Sequence, residues 1–214
     1  MQIDRILCGQ LLENCYAVHA DGRTDCVIVD PGEALPVISY LKENGLSCAA
    51  ILITHGHFDH IGGLRELQAF SSAKTYIHTL DADKLSNNRK NLSVLTGELL
   101  PPAKADVLVK DGDVIEAAGL EFTVLHTPGH SSGGVCYVLE EGRAIFCGDT
   151  VFLDSCGRTD FPDGDQRALF HSIKDKLFAL DGDYTLYPGH DETTTLSYER
   201  LGNPLYRTGM NLKW

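Results

Sequence analysis

The sequence predicts a single mixed α/β domain, and three observations support this. The chain has 214 residues, a usual length for one large domain. Hydrophobic residues make up 43% and charged residues 22%, which is ordinary for a globular protein. Short β-type runs alternate with amphipathic helical segments along the whole sequence, and no linker rich in proline, glycine or serine divides them. We therefore expect residues 1–214 to form one domain.

Strands account for most of the expected elements. They are short aliphatic and β-branched runs separated by turn signals such as Asp21-Gly22 and Asp111-Gly112. The run at residues 49–53 is continuously apolar, which is typical of a strand buried on both faces. Strands are predicted at residues 3–7, 15–19, 26–30, 49–53, 75–78, 107–109, 114–117, 121–125, 135–139, 144–146 and 185–187.

Helices are predicted where apolar residues recur every three or four positions. The clearest case is the segment 166–180, in which Leu169, Ile173 and Leu177 share one stripe. Gly45 directly follows another such segment, at a position where glycine commonly caps a helix. Helices are predicted at residues 34–44, 61–70, 166–180 and 195–201.

Charge and cysteine content exclude several classes of function. Asp and Glu number 30 against 18 Lys and Arg, a formal charge of −12, whereas nucleic-acid-binding proteins carry a basic surface. No apolar run approaches the roughly 20 residues of a membrane-spanning helix, and the N-terminus lacks a signal-peptide core. The seven cysteines are scattered without CxxC spacing, as is typical of small buried residues in a reducing compartment. We expect a cytoplasmic protein that binds neither nucleic acid nor membranes.

A dense group of metal-binding side chains lies between a predicted strand and a predicted helix. His55, His57, Asp59 and His60 occur within six residues. In an extended loop the first two histidines fall on one side, within reach of one metal ion, and Asp59 and His60 face a second position. Imidazole and carboxylate ligands suit Zn, Fe or Mn, and a site without thiolates argues against a structural cysteine-type zinc site.

One loop cannot complete a metal site, so further ligands are expected from other strand ends. The phrase Pro-Gly-His recurs at residues 128–130 and 188–190, and each copy follows a predicted strand. Proline and glycine stop the strand and hold His130 and His190 at its carboxyl end, where ligand sites are common. Asp149 follows a strand in the same way. The five His and two Asp suffice for two metal ions, with one carboxylate bridging them.

Each of these residues also has an ordinary structural interpretation. A histidine after a strand is commonly a cap or a core residue, and Asp149 could be a turn residue after Gly148. We interpret four other histidines as strand or helix residues without companions, the Cys156 thiol as buried, and one acidic segment as solvated. These histidines are His19, His78, His126 and His171, and the acidic segment contains Asp160, Asp163 and Asp165.

The identity, order and spacing of these residues resemble the metallo-β-lactamase superfamily. Its five motif positions are all present and extend from residue 30 to residue 190. The resemblance implies a four-layer αβ/βα sandwich, with two mixed sheets flanked by helices and a dinuclear metal site at one edge of the sheets. The matching residues are, in chain order, Asp30-Pro31-Gly32, His55-x-His57-x-Asp59-His60, His130, Asp149 and His190.

The resemblance also implies a role for each of these residues. The cofactors would be two divalent metal ions; we expect zinc, and iron or manganese fit the same ligands. Asp149 would bridge the two ions, and Asp59 would be a catalytic residue as well as a ligand. Asp30 would not bind an ion and would orient the ligands instead. The first ion would be held by His55, His57 and His130, and the second by Asp59, His60 and His190.

Within the superfamily, residues 147–152 and 157–162 resemble the glyoxalase II branch, and the last segment is similar to its short bacterial members. This resemblance implies hydrolysis of a small-molecule thioester such as S-D-lactoylglutathione. Arg158 falls where that branch places a basic residue for a carboxylate of the thiol. Alternatively, Arg158 forms a surface ion pair with Asp160 or Asp163.

Other activities remain open at this point. Residues 156–161 also resemble the persulfide dioxygenases, in which His55, His130 and Asp149 would hold one Fe(II) ion. A secreted β-lactamase would carry a signal peptide, and a nuclease would carry an inserted domain and a basic surface, so both are less favoured. A metal-binding module without catalysis is the last alternative. The complete set of ligand positions argues against it.

Overall fold

Fourteen strands occur in the part of the chain that this computed structural model describes, residues 1–97 and 99–204. Twelve of them form two six-stranded sheets, and the remaining two form a short separate hairpin. The strands are β1 (Gln2–Cys8), β2 (Glu13–His19), β3 (Asp25–Val29), β4 (Ser47–Leu52), β5 (Lys74–His78), β6 (Val107–Val109), β7 (Val114–Ala117), β8 (Leu120–His126), β9 (Val135–Leu139), β10 (Ala144–Gly148), β11 (Val151–Phe152), β12 (Ser155–Cys156), β13 (Thr185–Pro188) and β14 (Thr194–Thr195).

Each sheet is built from a continuous half of the chain. The first sheet has the order β1-β2-β3-β4-β5-β6, antiparallel from β1 to β3 and parallel from β3 to β6. The second sheet has the order β14-β13-β10-β9-β8-β7 and is antiparallel except for the parallel pair β10 and β13. The β11–β12 hairpin lies outside both sheets.

Two of the described helices begin at a side chain that accepts hydrogen bonds from free backbone N–H groups. The Asp165 carboxylate accepts hydrogen bonds from the backbone N–H groups of Arg167 and Ala168, and the Thr195 hydroxyl accepts one from Tyr198. The helices are α1 (Ala34–Glu43), α2 (Phe58–Ile61), α3 (Leu64–Ser71), α4 (Gln166–His171) and α5 (Leu196–Gly202), with 3₁₀ turns at Ala82–Ser86 and Ser93–Leu95 and a π-helical turn at Ser172–Leu177.

Three apolar clusters separate four layers of structure. Alternation along the strands assigns each face: Cys15 and Ala17 of β2 pack towards α1 and α3, whereas Tyr16 and Val18 pack between the two sheets. A third cluster joins the second sheet to Leu169 of α4 and to α5. The order is therefore helices, sheet, sheet, helices, which confirms the predicted αβ/βα sandwich.

Two predicted helices differ from the structure. The segment 61–70 is divided between α2 and α3, because Gly62 and Gly63 pass against the segment after β3, where a Cβ on Gly63 would collide with the backbone of Ala34. The segment 166–180 is α-helical only as far as His171 and continues as the π-helical turn. Side-chain spacing does not distinguish these two kinds of turn.

The prediction that the cysteines are buried is confirmed, since all seven are buried free thiols. In the described ranges, none of the helices combines the length and the apolar character needed to cross a bilayer.

Candidate metal centre

The seven candidate ligands lie together because the strands that precede them end at the same edge of the sandwich. The parallel pair β10 and β13 places Asp149 and His190 at adjacent carboxyl ends. The first sheet contributes four ligands from the segment after β4, and the second sheet contributes three. The sources are the β4–α2 loop for His55 and His57, α2 for Asp59 and His60, and the segments after β8, β10 and β13 for His130, Asp149 and His190.

His55, His57 and His130, which we call the first triad, are buried and offer ligand nitrogens within 4.8 Å of one another. His57 Nδ1 lies 2.9 Å from His130 Nε2. His130 Nδ1 lies 2.7 Å from the carbonyl oxygen of Arg158 and donates a hydrogen bond to it, so the lone pair of His130 is at Nε2. The triad therefore presents imidazole nitrogens to one common point.

Asp59, His60 and His190 form the second triad, with ligand atoms again within 4.8 Å. His190 Nε2 is 3.2 Å from Asp59 Oδ2, and His60 Nε2 is 3.9 Å from the same oxygen. His60 is fully buried, whereas the other two are partly exposed. The second triad therefore faces solvent. Gly189 makes this close approach feasible, since a Cβ there would collide with the His60 ring and with Asp149.

Asp149 lies between the two triads. Its Oδ1 is 3.3 Å from His60 Nε2, and its Oδ2 is 3.4 Å from His130 Nε2. The same Oδ2 is 3.9 Å from His190 Nε2. One carboxylate thus faces ligands of both groups, which is the placement that a bridging ligand needs.

Asp30 supports the site from the interior. Its carboxylate accepts hydrogen bonds from Thr54 N at 2.7 Å and Thr54 Oγ1 at 2.5 Å. It also lies 2.9 Å from His60 Nδ1, which fixes the ring so that Nε2 is directed at the second triad. Glu13, fully buried, lies 3.7 Å from the same Nδ1. No pattern in the sequence indicates this second carboxyl group.

The electrostatics of the two triads differ. Burial, together with the adjacent His130, lowers the pKa of His57 to about 3, and burial lowers that of His55 well below its usual value. These imidazoles are therefore neutral. Burial opposes the charged form of His60 as well, but the carboxylates of Asp149 and Asp59 raise its pKa well above the usual value.

The buried polar atoms of this cluster fit a cation. Among the described residues, the Nε2 atoms of His55, His57 and His60 are buried without a hydrogen-bond partner, and so is Asp149 Oδ1. Buried polar atoms without partners are costly, and cations bound at the two triads would satisfy His55 Nε2, His60 Nε2 and Asp149 Oδ1, whereas His57 meets the first site through Nδ1. Neutral imidazoles and carboxylates are ligands of Zn, Fe and Mn. The residues present therefore fit a metal centre.

Arg158 has an exposed side chain that pairs with Asp160. Its guanidinium also lies 4.6 Å above the ring of Phe161, which packs against His57 and His130 at centroid distances of 5.2 and 5.8 Å. Of the two ion pairs considered from the sequence, the structure has the one with Asp160. Arg158 stands beside the first triad, and its backbone oxygen contacts that triad directly.

Within the acidic segment interpreted as solvated, Asp160 and Asp165 are exposed, and Asp165 also caps α4. Asp163 differs, because it is partly buried and forms an ion pair with the buried ammonium of Lys84 at 2.7 Å. Two histidines also have a companion that was not expected, because the rings of His78 and His126 stack at 4.0 Å. His171 is exposed and pairs with Asp175, away from the candidate ligands.

Comparison with curated proteins identifies relatives that match over nearly their whole length. A probable metallo-hydrolase of Bacillus subtilis, YqgX, is 34% identical over 206 residues, covering 95% of this chain and 97% of the relative. A hydroxyacylglutathione hydrolase of Haemophilus influenzae, GloC, is 30% identical over 209 residues, with the same coverage.

Solved structures with the same fold include three similar proteins. The B3 metallo-beta-lactamase BLEG-1 is 36% identical with a TM-score of 0.92, covering 96% of this chain and 99% of that one. TTHA1623 in a di-iron-bound form is 35% identical with a TM-score of 0.84, covering 94% and 99%. ETHE1 from Myxococcus xanthus is 26% identical with a TM-score of 0.80, covering 97% and 85%. A sequence profile of the metallo-beta-lactamase superfamily matches residues 8–190, and the chain belongs to that superfamily.

Proposed function

We propose that this protein is a metal-dependent hydrolase of small-molecule thioesters such as S-D-lactoylglutathione. The observation that carries the proposal is the pair of triads with Asp149 between them, in which buried nitrogens lack hydrogen-bond partners. The relative named as a hydroxyacylglutathione hydrolase, similar over nearly the full length of both chains, supports the choice of substrate class.

The first triad would hold one divalent cation, the second triad another, and Asp149 would contact both. When bound, such a pair of ions lowers the pKa of water towards neutrality and polarises an acyl oxygen. We propose zinc for both positions, and the ligand types also accept iron or manganese. The similar structure in a di-iron-bound form shows that a related chain takes iron.

The protein's own groups have three tasks in this proposal. Asp59, partly exposed beside His190, orients the attacking water through its carboxylate. Phe161 excludes water from the first triad. Arg158 exchanges its pairing with Asp160 for a carboxylate of the substrate thiol. The leaving thiol has a pKa of about 8.5, so it departs as a thiolate with little need for a general acid.

The test is hydrolysis of S-D-lactoylglutathione by fully metallated protein, measured as the appearance of free thiol. His57→Ala removes a first-triad ligand and should abolish turnover. His171→Ala is the matched control, because His171 is exposed and pairs with Asp175 away from the candidate ligands. Fully metallated protein that turns over no thioester would refute the proposal. Faster hydrolysis of a chromogenic cephalosporin than of any thioester would replace the proposal with a β-lactamase activity, which the similarity to BLEG-1 makes a necessary comparison.

The iron persulfide dioxygenase alternative differs in metal content. It uses His55, His130 and Asp149 and would leave the second triad without an ion, although the buried His60 Nε2 lacks a hydrogen-bond partner. Elemental analysis therefore distinguishes the two. Two ions per chain with thiol release supports the hydrolase, and one iron with oxygen uptake supports the dioxygenase.

A further inference from the structure

Lys84 is a buried lysine outside the motif residues. It lies in the 3₁₀ turn Ala82–Ser86 and is only 3% exposed. A buried ammonium is costly unless its three protons meet acceptors. Its Nζ lies 2.7 Å from Ser131 Oγ, 2.7 Å from Asp163 Oδ2 and 3.2 Å from Asp81 Oδ2. The ammonium therefore donates two hydrogen bonds and pairs with a second carboxylate, and these partners come from three segments of the chain.

Asp81 joins the same group to the two loops of the first triad. It is fully buried, and its carboxylate accepts hydrogen bonds from Gly56 N and Gly133 N, both at 2.8 Å. It also accepts one from Ser131 Oγ at 2.5 Å. Gly56 separates the first two histidines of the motif, and Ser131 directly follows His130. One carboxylate thus ties the loop after β4 to the loop after β8.

Asp163 extends the arrangement to the segment 157–165. Its Oδ2 accepts hydrogen bonds from Lys84 Nζ and from Ser132 N, the latter at 3.1 Å. The same segment carries Phe161, whose ring packs edge-on against two imidazoles of the first triad. Lys84 therefore adds a buried side-chain connection between this segment and the triad, beside the direct hydrogen bond from His130 to the Arg158 carbonyl oxygen.

We propose that Lys84 is a positioning residue for the first triad. Together with Asp81 it sets the separation of the two histidine loops, and through Asp163 it holds Phe161 against the imidazoles. The lysine stem contributes as well, since a Cβ on Gly56 would lie 2.6 Å from Lys84 Cβ. Apolar residues of similar volume commonly replace a buried ion pair without loss of stability, so stability alone does not account for these charges. The proposal rests on the metal site of the proposed function.

The first experiment measures metal affinity in the Lys84→Met variant, which keeps the stem and removes the ammonium. It is made in a His190→Ala background, so that a zinc titration against a chromophoric chelator reports the first triad. We expect affinity to fall about tenfold or more, as for other residues that orient ligands. Lys90→Met is the matched control, because Lys90 makes the exposed ion pair with Asp83 in the same region. A folded Lys84→Met protein with unchanged zinc affinity would overturn the proposal.

The second experiment removes the contacts that Asp163 makes from the segment 157–165 to Lys84 and Ser132 N. Asp163→Ala changes a partly exposed residue, so it tests the connection even if Lys84→Met does not fold. In metal-free protein we expect tryptic cleavage after the exposed Arg158 to accelerate about threefold or more, while Lys90→Met leaves the rate unchanged. An unchanged cleavage rate in Asp163→Ala would refute the connection. Neither readout uses a thioester, so a wrong substrate class would leave both results interpretable.

Discussion

Replacing Asp30 by asparagine tests how the second triad is oriented. Asp30 is 2% exposed, and its φ of +49° lies in the left-handed region, which asparagine tolerates well. The substitution therefore leaves the backbone undisturbed and changes the hydrogen bonds alone. The carboxylate has three partners: Thr54 N, Thr54 Oγ1 and His60 Nδ1, at 2.7, 2.5 and 2.9 Å.

The magnitude follows from these partners. The amide oxygen of the introduced asparagine can still accept from Thr54 N, but its N–H groups face Thr54 Oγ1 and His60 Nδ1. A hydrogen bond to a charged group contributes about 1.5–3 kcal/mol. Because the threonine hydroxyl can turn and accept, we expect unfolding free energy to fall by about 3 kcal/mol. His60 must then accept at Nδ1 and carry its proton at Nε2, so affinity for the second metal should fall about 10- to 100-fold.

Urea denaturation of metal-free protein measures the first effect, and a zinc titration measures the second. Asp25→Asn is the control, because Asp25 begins the strand that leads to Asp30 but pairs with Arg23 at the surface. It should change neither quantity appreciably. An Asp30→Asn protein that binds two ions with the original affinity would refute the argument about the His60 tautomer.

Two further predictions concern the core and the protons of the site. Phe122 is fully buried between the sheets, so Phe122→Ala should lower the unfolding free energy by about 3–5 kcal/mol in urea denaturation; a loss below about 1 kcal/mol would contradict the packing described. Metal loading at neutral pH should release protons. The carboxylates of Asp149 and Asp59 raise the pKa of His60, although burial alone would lower it. The metal-free His60 therefore carries a proton at Nε2, and this proton must leave before the nitrogen can bind a metal ion. Apparent metal affinity then rises with pH. Calorimetry in buffers of different ionisation enthalpy measures the release, and identical heats would contradict it.

The sequence was sufficient to predict the elements that end at the site. Strand ends followed by Pro-Gly-His or by Gly-Asp are local signals, because proline and glycine stop a strand wherever it lies in the fold. The dense group from His55 to His60 is also local. For these reasons the convergence of the loops could be predicted from the residues, whereas the four-layer sandwich was predicted from the resemblance to the superfamily.

The residues that support the site from other parts of the chain could not be predicted from the sequence. Lys84 and Asp163 are separated by 79 positions, and nothing in either neighbourhood distinguishes them from solvated surface residues. Glu13 begins a strand and resembles an ordinary polar residue until the fold buries it beside His60. Such contacts depend on which loops meet, and that is decided by the packing of one sheet on the other.

The division of the ligands between the two halves of the chain restricts how a substrate can enter. Each triad contains side chains that follow strands of both sheets. If one half of the chain moved away from the other, each bound ion would lose at least one ligand. An ion that binds only the docked arrangement favours that arrangement by mass action. In the proposed enzyme the two halves would therefore stay together, and substrate would enter and leave at the rim formed by Asp59 and His190, whose side chains are partly exposed.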